Sequence, residues 1–121
     1  MIKIEISIGE ALDRLSILYL KKQNINCPYK INYILKEISM LEESLENIDF
    51  KEFLQRMLDV NSVLWANNEK RKEKIRNSVY DEEYLELTKE ESLINDLRFY
   101  VKKEINDFYN SEIPFQNLLW S

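Results

Sequence analysis

The side chains with the most chemistry to offer recur at helical spacing in three stretches of the chain. In the first, Glu10, Asp13, Arg14 and Lys21 put two carboxylates and two cations on one side of a helix. In the second, Asn61, Trp65 and Asn68 stand at i, i+4 and i+7, which sets an indole between two amides. In the third, Asn95, Arg98, Lys102 and Asn106 follow at i, i+3, i+7 and i+11 on one ridge. An arginine fork beside an ammonium suits a phosphate or pyrophosphate. An indole among amides suits the face of a purine or sugar ring. Each set also has a plain structural reading: a surface ion pair with a helix cap, a tryptophan at the edge of the core, and a solvated ridge neutralised by Asp96 and Glu104.

The residue types that are missing narrow the chemistry further. The chain has no histidine, so the commonest general base, the commonest zinc ligand and every His-based triad are excluded. One cysteine, Cys27, cannot build a cysteine-rich metal site, and one glycine, Gly9, cannot build a phosphate-cradling loop. Carboxylates are plentiful at Glu42-Glu43, Asp81-Glu82-Glu83 with Glu86, and Glu90-Glu91. Most stand away from the apolar stripes and read as solvated helix faces rather than acid–base pairs or Mg²⁺ ligands. The expectation is a binding protein with no catalytic residue, no metal site and no cofactor.

The elements that position these groups are helices. The single glycine and the two prolines, with hydrophobic residues at 45% of the 121, argue for long helices in one domain over 1–121. Ile2, Ile4, Ile6 and Ile8 alternate with polar residues, as in a short strand or extended arm. Ser7 and Glu10 then have capping-box spacing, and a first helix to about Gln23 carries Ile8, Ala11, Leu12, Leu15, Leu18 and Tyr19. A second, from about Tyr29 to Asn47, carries Ile31, Ile34, Leu35, Ile38, Leu41 and Leu45 on one face. The third starts near Phe50 with Phe53, Leu54, Met57, Leu58, Val60, Leu64 and Trp65, and ends near Asn77. Its charged stretch from Asn67 to Lys74 predicts a helix end projecting into solvent. Asp81 caps a fourth helix to about Tyr109, with Leu85, Leu93, Leu97, Tyr100, Val101, Ile105 and Phe108 as its apolar side. The prediction is an all-α, antiparallel bundle of about four helices with an extended N-terminal arm. An apolar C-terminal tail follows, formed by Ile113, Pro114, Phe115, Leu118, Leu119 and Trp120, and is expected to dock on the bundle or on a partner subunit.

A formal charge of −5 gives no basic footprint for nucleic acid. Without a signal h-region, a long apolar run or paired cysteines, the expected compartment is the cytoplasm, with no membrane contact. Abundant Ile, Lys and Asn suggest an AT-rich genome, such as that of a phage or a low-GC bacterium.

At these same positions the chain resembles a bacterial and phage domain family of unknown function. That family begins I-x-V-G-E-L-x-D-K-x-T-I-L-x-I-K, to which Ile6 to Lys21 corresponds through Gly9-Glu10, Asp13-Arg14 and Lys21. Its N-x-x-L-W is matched by Asn61, Leu64 and Trp65, with Asn68-Glu69 a looser fit to the acidic pair that follows. Its N-D-x-R-x-x-x-K-x-E-I-N is matched by Asn95-Asp96, Arg98, Lys102 and Glu104-Ile105-Asn106. The family's later acid and lysine are absent here, near Phe115 and Asn117. The resemblance implies no activity. Its members' frequent location near surface-polysaccharide genes implies a sugar or nucleotide-sugar connection by association alone. The first expectation is therefore a homo-oligomeric module that holds a small anionic, nucleotide-like ligand, by analogy with small helical phage proteins that sequester nucleotide immune signals. The rivals are an enzyme or accessory subunit of surface-glycan assembly using Glu10 or Asp13, and a purely structural interaction protein.

Overall fold

The computed structural model describes residues 2–109, and the apolar tail expected at Ile113 to Trp120 lies outside them. Four helices follow in order: α1 (Ile8–Asn24), α2 (Pro28–Ser44), α3 (Lys51–Arg76) and α4 (Glu82–Phe108). No strand occurs among the described residues, so the all-α expectation holds. Residues 2–7 carry no regular structure; Ile2 and Ile4 are exposed, while Ile6 packs against the core. Among the described residues, no helix is long and apolar enough to cross a membrane.

Local chemistry sets the boundaries. Ser7 Oγ accepts from the Glu10 amide at 3.1 Å, and Asp81 Oδ1 accepts from the Tyr84 amide at 3.0 Å. Pro28 opens α2, where its missing N–H costs nothing. Beyond α3, Ser78 takes φ 54°, and the Val79 and Ser78 amides return to the carbonyls of Lys74 and Ile75 at 2.8 and 3.1 Å. This is a Schellman closure with serine in the position that glycine usually holds.

Helix α1 lies at the centre, packing on each of the other three, and α3 packs along α4. The core joins Leu12 and Leu15 of α1, Ile34 and Ile38 of α2, Met57 and Val60 of α3, and Val101 and Ile105 of α4. Pairings such as Gly9 with Asn106 and Asp13 with Arg98 show α1 and α4 running antiparallel, and Arg56 with Glu104 and Lys74 with Asp81 show the same for α3 and α4.

Two sequence expectations change. The charged half of α3 does not project alone, because it lies along the first half of α4. There the buried Asn67 amide donates to the Leu87 carbonyl at 2.8 Å, Arg71 pairs with Glu91, and Lys74 reaches Asp81 at 3.1 Å. Arg71 and Lys74 find partners on α4, whereas Lys72 and Arg76, among the described residues, pair only within α3, with Glu69 and Glu73. On α4, only Val101 and Ile105 of the expected stripe are buried; Leu85, Leu93, Leu97, Tyr100 and Phe108 are exposed. The apolar sector of α4 is wider than its contact with α1 and α3, and only one side of it enters the core.

Candidate functional site

Six of the residues singled out from sequence converge where α1, α3 and α4 meet. Asp13 is fully buried on α1. Arg98 of α4 grips it with a two-point fork, Nε to Oδ1 at 2.9 Å and Nη2 to Oδ2 at 2.7 Å. Asn61 of α3 donates from Nδ2 to Asp13 Oδ1 at 2.9 Å and to Ser16 Oγ at 2.7 Å. Ser16 in turn donates to the Asp13 carbonyl at 2.7 Å, so its lone pairs face the amide and the Asn61 orientation is fixed. Asn61 Oδ1 is buried with no hydrogen-bond partner among the described residues.

Lys102, one turn beyond Arg98, contacts Glu10 Oε2 at 2.5 Å and Asp13 Oδ2 at 3.2 Å. Glu10 also accepts from Arg14 Nε at 3.2 Å. The expected capping box is therefore half made: Ser7 caps the helix, but the Glu10 carboxylate turns to Lys102 and Arg14. A further cap comes from 97 residues away, where Asn106 Oδ1 accepts from the Gly9 amide at 2.7 Å. Two of the four amides that a helix start leaves open are thus satisfied by Ser7 and Asn106.

The charges are mutually held. Burial on its own raises the Asp13 pKa, but the Arg98 hydrogen bonds, the Asn61 amide and the charges of Arg98 and Lys102 outweigh it and keep the carboxyl below its ordinary value. Glu10 behaves alike: burial raises its pKa, and the Lys102 hydrogen bond and charge, with the Arg14 hydrogen bond, bring it below the usual range. Arg98 and Lys102, expected as phosphate ligands or as a ridge neutralised by Asp96 and Glu104, are instead engaged by Asp13 and Glu10, and Glu104 pairs with Arg56 at 2.6 Å.

The remaining residues of the expected site lie elsewhere. Asn68 accepts from Arg71 in the α3–α4 clamp, Trp65 is half-buried on α3, and Asn95 is exposed on α4. Lys21 is exposed two turns along α1 from Arg14. These two cations nevertheless share a feature, a groove of about 390 Å³ between α1 and α2 lined by Arg14, Ile17, Leu18, Lys21, Glu37, Met40 and Leu41. From α1 it takes both cations with Ile17 and Leu18, and from α2 it takes Glu37 with Met40 and Leu41. Arg14 is exposed but tied to Glu10, and so through Lys102 to the buried cluster.

No protein-family model, curated protein or solved structure matches the chain. The site must be read from its own geometry. Among the described residues, no group of three or more carboxylates or thiols is placed to hold a metal ion.

Sequence reasoning missed Gly9 and Ser16. A Cβ on Gly9 would lie 2.6 Å from the Lys102 carbonyl and 2.8 Å from Asn106 Oδ1, so the lone glycine lets α4 cross the start of α1. Its signal was present: one glycine in the whole chain, in the first turn of a helix where nothing demands it.

Proposed function

We propose that the protein is a non-catalytic binding module that takes a small, phosphorylated, nucleotide-like molecule in the groove between α1 and α2. The observation that carries this reading is the make-up of the groove: two exposed cations along one wall, four apolar side chains, and one acidic group opposite. A nucleotide offers the matching parts, a ring face for the apolar side chains, a phosphate for Arg14 and Lys21, and hydroxyl or amino donors for Glu37. The volume falls within the range of about 300–1,000 Å³ typical of small-molecule sites. In this reading the buried cluster around Asp13 is the scaffold. It spends Arg98 and Lys102 internally, and through Glu10 it sets the position of Arg14.

Lys21 has no carboxylate partner among the described residues, so its charge is available to a ligand. Titration calorimetry with a panel of nucleoside monophosphates, cyclic dinucleotides and nucleotide sugars tests the reading. The expected result is binding of one class, weakened roughly ten- to a hundredfold by Lys21→Glu, as suits the loss of a charge-assisted contact worth about 1.5–3 kcal/mol. The bound molecule should be recovered unaltered after prolonged incubation. Turnover of the ligand, or equal affinity in the variant, would sink the proposal.

A further inference from the structure

The exposed side of α4 carries a second apolar stripe that neither the core nor the groove uses. Leu93, Leu97 and Tyr100 stand at i, i+4 and i+7 and are 68%, 53% and 65% exposed. On the α3 side, Val63, at 56% exposure, lines with Ala66 and Leu87, and with the polar Ser62, Asn67, Lys70 and Glu90, a groove whose α4 residues end one turn before Leu93. Scattered apolar residues on a surface need no explanation, but a row at helical spacing is the pattern of a helix that packs on another.

We infer that this face binds a second copy of the chain through an antiparallel α4–α4 contact. The stripe is self-complementary. A two-fold axis passing midway between Leu97 and Tyr100 lays Leu97 of each copy on Tyr100 of the other, and sets Leu93 over the aliphatic stem of the opposite Glu104. Closed two-fold pairing of this kind is the commonest form of homo-oligomer. The flanking charges support the same register. Asp96 and Lys103 border the stripe on one side, seven residues apart, and neither has an ion-pair partner among the described residues. The axis that pairs Leu97 with Tyr100 brings Asp96 of each copy beside Lys103 of the other, giving two opposite-charge contacts. The two-fold register centred between Leu93 and Leu97 would set Asp96 against Asp96 and Lys89 against Lys103, which like charges disfavour. The surface lies away from the groove between α1 and α2, so the inference stands apart from the proposed ligand.

Light scattering on the eluting full chain, with sedimentation for affinity, tests it. The expected mass is twice the 14.7 kDa of one chain. Leu97→Glu should elute as a monomer with an unchanged helical circular-dichroism spectrum. Asp96→Lys should weaken the dimer roughly tenfold through two like-charge contacts, and adding Lys103→Asp should restore it. A wild-type chain that stays monomeric at about 100 μM, well above the micromolar constants of weak specific pairs, overturns the inference. So does a dimer indifferent to Leu97→Glu. If truncation after Tyr109 turns that monomer into a dimer, the face belongs to the chain's own residues 110–121 instead.

Discussion

Replacing Asp13 by asparagine is the sharpest probe of the cluster. The shape is kept, but one negative charge is removed from a fully buried position. Asparagine keeps one acceptor oxygen, so Arg98 loses one of the two acceptors of its fork, together with either the Asn61 contact on Oδ1 or the Lys102 contact on Oδ2. The new amide also sets its own N–H groups against those donors. Breaking a buried pair from one side costs about 3–5 kcal/mol. Arg98 and Lys102 keep partial contact with water, so the lower end applies, about 3 kcal/mol. Urea denaturation followed by circular dichroism should show the midpoint falling with an unchanged slope. The pH dependence adds a second readout. The folded pKa of Asp13 is depressed, so its stabilisation is complete above the unfolded carboxyl value of about 3.9 and fades as pH falls through the lower folded value. The gap between wild type and variant should therefore be widest near neutrality and narrow below about pH 4. A loss under about 0.5 kcal/mol, the size of an ordinary surface substitution, would refute the claim that Asp13 anchors the three helices.

Gly9→Ala should destabilise by about 1–3 kcal/mol in the same assay, since its Cβ meets backbone oxygen as well as the Asn106 amide; a neutral result would mean that α4 does not crowd the start of α1. Ser78→Gly should stabilise by up to about 1 kcal/mol by relieving the left-handed strain, read as a rise in melting temperature, and a fall would contradict the Schellman assignment.

The fold was legible because its signals are local. Ser7 and Asp81 cap where their spacing predicted, and the α1 stripe from Ala11 to Leu18 is the core. The face of α4 was not legible, because periodicity shows which residues share a side, not which part of a wide apolar sector meets a neighbour. Leu97 and Val101 look alike in sequence, and only one is buried. The buried cluster was legible in most of its members but not in its pairings, and the groove only in Arg14 and Lys21. Helical spacing put Glu10 beside Arg14, whereas Asp13 and Arg98 lie 85 residues apart, and only the packing of α1 on α4 joins them. Reading Arg98 and Lys102 as open phosphate ligands missed that a buried carboxylate elsewhere in the chain needed them.

The most direct test of ligand binding between α1 and α2 is an amide chemical-shift titration of the ¹⁵N-labelled protein with the nucleotide that binds best in calorimetry. The proposed site predicts saturable shifts concentrated at Arg14 to Lys21 and at Glu37 to Leu41, abolished in Lys21→Glu, with residues 93–100 unmoved. Shifts centred on Asn61, Trp65 and Arg98 instead would place the ligand in the cluster and contradict it.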